Sequence, residues 1–93
     1  MAAVNLGAFN TVSLPVSVTQ LVTAARGHFY FSITNSGTGN LFVSDANTVG
    51  ANATSYKVLA GATMPTFQVW GPSGAFVFVD VAGPISVMVI PRG

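Results

Sequence analysis

The chain has 93 residues, of which 51% are hydrophobic and only 5% are charged, with a formal net charge of +1. This length suits one domain. Three cationic side chains are too few to neutralise a nucleic-acid backbone. Globular proteins carry about 25% charged residues, so we expect part of the apolar surface to meet another chain. The absence of cysteine excludes disulfides and thiol chemistry and fits synthesis in a reducing cytoplasm.

Membrane and secretory signals are missing from the sequence. No stretch of about 18 consecutive apolar residues is present, so we expect no transmembrane helix. The first residues lack the basic start of a secretory signal. Neither a membrane nor a nucleic acid is therefore an expected partner.

Residues 1–10 predict an N-terminal arm. They mix Ala, Gly and Asn with Val4, Leu6 and Phe9 and have no capping signal for a helix. Two interpretations stay open: a frayed terminus, or a segment that becomes ordered on docking and buries these three side chains on a partner.

Residues 11–93 predict a single β domain of about seven short antiparallel strands, a sandwich or a partly closed barrel. Apolar and polar residues alternate, turn residues recur at intervals of about 8 to 12, and no segment longer than a turn is typical of a helix. The predicted strands cover 11–22, 28–34, 41–43, 57–60, 66–70, 75–81 and 85–90.

The strongest pattern runs from His28 to Ser44. Phe29, Phe31 and Ile33 alternate with side chains that point to the opposite face, which indicates a half-buried strand. The strand breaks at residues 35–39, where Asn and two Gly accommodate a turn, and a second apolar run follows. This pattern predicts a hairpin with a loop of about five residues.

Two further segments predict connections. Residues 45–55 are rich in Asn, Ala, Thr and Gly without periodicity, which is typical of a long surface loop, either functional or a flexible crossover. The stretch from Gly71 to Gly74 predicts a tight turn.

Sorting the strands by face predicts a core and a second apolar set. The predicted core comprises Leu14, Val16, Val18, Phe29, Phe31, Ile33, Leu41, Val43, Phe67, Val69, Val77, Val79, Val81, Ile85, Val87 and Val89. The opposite faces carry Tyr30, Phe42, Trp70, Phe76, Phe78 and Met88. These side chains, with Val4, Leu6 and Phe9, are the candidate protein interface. The alternative is a strand buried on both faces, or a register shifted by one residue.

No arrangement of residues indicates catalysis or metal binding. His28 is the only histidine, and a catalytic triad would need Asp45 or Asp80, the entire acidic content of the chain. One His, two separated Asp and no Cys do not supply a metal site. We therefore expect no enzyme activity, no catalytic residue and no cofactor.

Several short motifs follow one another in a recognisable order. They are Thr19-Gln20-Leu21-Val22, the stretch from Phe31 to Ser44, Leu59-Ala60-Gly61-Ala62, Gly71-Pro72 and Val87-Met88-Val89-Ile90. In this order they resemble small β-sandwich virion proteins of tailed bacteriophages. The resemblance implies a head decoration (cement) protein on the capsid surface of a virion, synthesised in the cytoplasm of a host bacterium.

A decoration protein binds a repeated lattice site, so modest affinity per copy is strengthened by avidity. We expect copies to associate, as trimers that suit threefold lattice positions, and to stabilise the shell by binding the major capsid protein only when it is assembled. The arm would dock on the coat. The alternative is a host-recognition module of a phage fibre or spike that binds glycans through Trp70, Tyr30 and residues 45–55.

Overall fold

A computed structural model describes residues 2–92, which form nine β-strands. In chain order these are β1 (Ala2–Leu6), β2 (Phe9–Leu14), β3 (Thr19–Thr23), β4 (Gly27–Asn35), β5 (Leu41–Ser44), β6 (Tyr56–Val58), β7 (Phe67–Gly71), β8 (Ala75–Val79) and β9 (Gly83–Pro91). Within this part of the chain, no helix has the length and apolar character needed to cross a membrane.

The strands form two sheets, ordered β1-β3-β8-β5-β6 and β2-β9-β4-β7. All neighbouring strands are antiparallel except β1, which runs parallel to β3. Apart from β1, these are the strand orders of a jelly roll, a sandwich in which the chain repeatedly crosses between the two sheets. The prediction of an all-β sandwich is confirmed, with nine strands where about seven are predicted.

The core lies between the sheets and is built from alternate residues of both. Its fully buried members include Leu21, Phe31, Ile33, Leu41, Val77, Ile85 and Val87. Burial of each such side chain contributes about 1.5–3 kcal/mol. Most of the predicted core residues are buried as expected.

Two valines predicted in the core are exposed instead. Val16 follows the end of β2, where Pro15 starts a turn in which its oxygen accepts a hydrogen bond from Ser17 N–H at 2.8 Å. Val81 follows the end of β8, in the connection to β9. In both cases the alternation continues in the sequence beyond the point where the strand ends.

The structure differs from the prediction at the N-terminus. Residues 2–6 form β1 at the edge of one sheet, and residues 9–10 begin β2 at the edge of the other. Asn10 fixes the link between them, because its side chain accepts from Gly7 N–H at 2.8 Å and donates to the oxygens of Gly7 at 2.9 Å and Val87 at 3.1 Å. Ala and Asn have low strand propensity, which is why the sequence gives little sign of these strands.

The predicted hairpin between β4 and β5 is wrong, because the two strands belong to different sheets. Residues 36–40 cross between the sheets, and the Asn35 side chain holds this crossing. Its amide nitrogen donates to the oxygens of Gly39 at 2.8 Å and Val58 at 3.0 Å, and its amide oxygen accepts from Gly37 N–H at 3.1 Å. An Asn-x-Gly pattern specifies a change of chain direction without specifying the sheet to which the chain returns.

Replacing Asn35 by Ala is expected to lower the free energy of unfolding by about 2–3 kcal/mol, because it leaves buried backbone groups without partners. Urea unfolding of the two proteins measures this difference. Asn47→Ala is the matched control, since Asn47 is exposed in the 45–55 connection, and it should change stability by less than about 0.5 kcal/mol. Equal effects of the two substitutions would contradict the role given to Asn35.

Candidate interaction surface

The outer face of the four-stranded sheet carries the side chains that alternate away from the core. The register between strands arranges them in rows that run across the sheet. From the end at which β4 begins, the rows are Trp70, His28 and Arg92, then Gln68, Tyr30 and Ile90, then Ser32, Met88 and Phe9.

Four side chains in these rows are large, apolar and open to solvent. Phe9 is 82% exposed, Trp70 46%, and Met88 and Ile90 38% each. Phe9 lies directly opposite Met88, and Ile90 lies two residues further along the same strand and opposite Tyr30. We call these four residues and Tyr30 the apolar outer face.

The remainder of the same sheet surface is rich in hydroxyl groups. Thr11 and Ser86 are opposite each other, and Ser86 is also opposite Thr34. The hydroxyls of Thr34 and Thr63 are 2.7 Å apart. The apolar outer face therefore occupies one half of the sheet and has a polar boundary, which is the usual anatomy of a protein interface.

Trp70 is held in place at one corner of this surface. Its ring meets the His28 ring edge-on, with 4.8 Å between centroids and 68° between planes. The Gln68 side-chain nitrogen donates to His28 Nδ1 at 2.8 Å. These contacts position the indole ring before any partner binds, which lowers the entropic cost of binding.

The nine predicted interface residues do not form one patch. Phe9, Tyr30, Trp70 and Met88 belong to the apolar outer face, and sequence analysis missed Ile90. The signal for Ile90 was available, because a residue two positions from Met88 in a strand lies on the same face.

The two apolar residues of β1 have another role. Val4 and Leu6 are partly buried and pack against the core. Both side chains therefore contribute to the fold itself in the described structure. Removal of residues 1–10 would remove β1 and the start of β2, and would therefore disturb the fold as well as any docking.

The remaining three predicted residues lie on the outer face of the five-stranded sheet. Phe42 and Phe78 are opposite each other, with 6.4 Å between ring centroids. Phe76 precedes Phe78 by two residues in β8 and lies on the same face. Phe76 and Phe78 are half-buried, whereas Phe42 is 6% exposed.

Strand β5 is buried on both faces, since Leu41, Phe42 and Val43 are all buried. Val49, in the 45–55 connection, is also buried, and neither it nor Phe42 belongs to the main core cluster. Phe42 lies between Lys57 and Phe78 on the outer face, so these neighbouring strands flank it on both sides. The alternative interpretation of the sequence, a strand buried on both faces, therefore applies to β5.

A groove of about 490 Å³ opens between the end of β5 and the edge strand β7. Trp70 and Tyr56 supply aromatic rings to it, and Met64 and Val69 supply apolar side chains. Asp45 also lines the groove, so the structure brings Trp70 and one end of the 45–55 connection together. Tyr30, which the sequence predicts to bind glycans together with them, belongs to the apolar outer face instead.

No protein-family model matches this chain, and no curated protein or solved structure is significantly similar to it. The resemblance to phage virion proteins accordingly depends on the order of the sequence motifs and stays a prediction.

Phe9→Ala is expected to change the free energy of unfolding by less than about 1 kcal/mol, because only an exposed cross-strand contact with Met88 is lost. Phe31→Ala, which empties a fully buried site, should cost about 3–5 kcal/mol. Chemical denaturation at low protein concentration measures both. A cost for Phe9→Ala equal to that of Phe31→Ala would contradict its assignment to an open surface.

Proposed function

We propose that this chain is a non-enzymatic structural protein of a bacteriophage virion, a head decoration protein that binds the major capsid protein and stabilises the shell. The observation that carries the proposal is the apolar outer face, with four large exposed apolar side chains in adjacent rows. Aromatic residues each bury about 150–250 Å² on contact and dominate the energetics of protein interfaces. A face of this kind is suited to binding another protein.

The scaffold supports this use. The apolar outer face belongs to strands of a two-layer sandwich, so its side chains project from a backbone that is fixed by both sheets. A rigid surface loses little conformational freedom on binding. On a capsid lattice, many such contacts add up, so each contact can be individually modest.

Association between copies belongs to the same proposal, with trimers at threefold lattice positions. Phe76 and Phe78, half-buried on the outer face of the other sheet, are the candidate contacts between copies. A chain with 51% hydrophobic and 5% charged residues has little charge repulsion to oppose association. The four-stranded sheet would then contact the capsid, and the five-stranded sheet would contact other copies of the chain.

The contacts of His28 and Asp80 are compatible with a non-enzymatic role. His28 Nδ1 accepts from Gln68, and its ring packs on Trp70. The Asp80 carboxylate accepts from the backbone N–H of Asn40 at 2.7 Å and from its side chain at 3.3 Å. These contacts give both groups a structural use.

The fold is compatible with the proposal without selecting it. Jelly rolls occur in viral capsid proteins and in lectins, and a fold by itself does not determine a function. The order of the sequence motifs favours the virion protein.

The experiment uses phage heads that lack this protein through deletion of its gene, with purified protein added back. Wild-type protein should cosediment with the heads, and cryo-electron microscopy should locate it on the outer surface. The double variant Phe9→Ser/Met88→Ser is expected to bind about tenfold or more weakly, because it removes adjacent apolar anchors from the interface.

The matched control is Thr11→Ala/Ser13→Ala, on the hydroxyl-rich half of the same sheet, which should bind like the wild type. Failure of the wild-type protein to bind heads would overturn the proposal. Equal losses in the two double variants would remove the apolar outer face as the contact.

A second candidate, glycan recognition by a fibre or spike, is favoured by the groove that joins Trp70, Tyr56 and Asp45. Trp70 is the only tryptophan, so its fluorescence reports on sugar binding directly. If this candidate is correct, glycans selected on an array will quench Trp70 fluorescence in a saturable manner, and Tyr56→Ala will weaken binding. No response to any glycan, together with binding to heads, would support the decoration protein.

A further inference from the structure

Two of the three cationic side chains of this chain lie at one corner of the four-stranded sheet. Arg26 immediately precedes β4, and Arg92 follows β9, where its backbone N–H donates to the His28 oxygen at 3.1 Å. Together with His28, the two arginines line a depression of about 570 Å³. The third cation, Lys57, is in β6 of the other sheet.

Among the residues that line this depression, none has an acidic side chain. Within residues 2–92 neither guanidinium forms an ion pair with a carboxylate. Of the two acidic residues, Asp80 holds Asn40 with both of its carboxylate oxygens. Asp45 lines the groove beside β7. The two arginines therefore present a local positive charge that is uncompensated within the described chain.

The same corner is continuous with the apolar outer face. His28 lies between Trp70 and Arg92 in the first row of the sheet, and its ring packs on the indole. A protein that covers the apolar outer face would remove water from His28 and Arg92 as well. Loss of hydration is strongly unfavourable for a guanidinium unless the partner supplies an opposite charge. A partner that covers this corner together with the apolar outer face therefore binds more tightly if it places an acidic group here than if it does not.

An apolar cleft of about 270 Å³ adjoins the basic depression, and Phe29 and Pro91 line both. Leu6 and Val89 provide further apolar walls. The basic depression would thus suit a carboxylate, and the adjoining cleft would suit an apolar side chain next to that carboxylate. A nucleic acid does not fit this corner, because it presents many phosphates to only two arginines.

We propose that Arg26, His28 and Arg92 bind a carboxylate of the partner protein, an Asp or Glu side chain that is adjacent to an apolar residue. This inference rests on the proposed function and specifies the chemistry of the coat surface. An arginine holds a carboxylate through two parallel N–H donors. A second copy of the chain is a poor source of that carboxylate, since its only acidic residues are Asp45 and the already bonded Asp80.

The first test is independent of phage heads and uses sodium acetate as the probe, at constant ionic strength maintained with sodium chloride. Nuclear magnetic resonance should detect saturable shifts at Gly27, His28 and Arg92. Arg26→Gln and Arg92→Gln should each weaken acetate binding, by up to about fivefold for exposed charges. Lys57→Gln is the matched control, because it removes the same net charge elsewhere and should leave binding unchanged.

Three results of this test would overturn the inference. The first is the absence of saturable acetate shifts at these residues. The second is an equal loss of binding in Lys57→Gln, which would indicate only a net-charge effect. The third is binding of methyl phosphate at concentrations at which acetate does not bind, which would indicate a phosphate ligand.

The second test measures cosedimentation of the same variants with heads that lack the protein. Arg26→Gln and Arg92→Gln should bind heads more weakly than Lys57→Gln, with a difference that decreases as salt concentration rises. If both arginine variants bind heads like the wild type, this inference fails and the proposed function stands. If the wild type binds no heads, the proposed function fails, and the acetate experiment alone decides whether the anion site exists.

Discussion

The arrangement of the two sheets depends on the hydrogen bonds of Asn35. Besides its three side-chain hydrogen bonds, its backbone N–H donates to Ala62 at 2.9 Å and its backbone oxygen accepts from Gly61 at 2.7 Å. A single residue, 1% exposed, thus joins the end of β4, the crossing to β5, the end of β6 and the turn after it. Buried polar groups need such complete pairing, because an unpaired one is costly away from water.

The sequence predicts the direction of side chains correctly in strands where apolar and polar residues alternate together with buried and exposed positions. In β4 it correctly predicts that Phe31 and Ile33 point inward and that Tyr30 points outward, since a strand buried on one side must alternate. It failed at the crossing after Asn35, where the same residues that predict a hairpin instead direct the chain into the other sheet. Turn chemistry is local, whereas membership of a sheet is decided by strands that are distant in the sequence.

The candidate site was predictable only in part for a related reason. Alternation identifies the outward side chains of each strand, yet it does not tell which strands are neighbours. Trp70 and Phe78 are both outward residues, and they lie on opposite sides of the sandwich. The basic corner was equally inaccessible, because Arg26 and Arg92 are far apart in the sequence and meet only through the pairing of β4 with β9.

The crossing pattern of the chain also has a consequence for folding kinetics. Among the eight connections that link the nine described strands, only the one between β5 and β6 joins neighbours in the same sheet. Nearly every strand must therefore find a partner that is distant along the chain, which gives a high contact order. Such topologies reach the native state on the millisecond-to-second scale, since loop-closure entropy is lost before the contacts that compensate for it are formed. Little of this molecule can form as an isolated fragment, so its sheets assemble together.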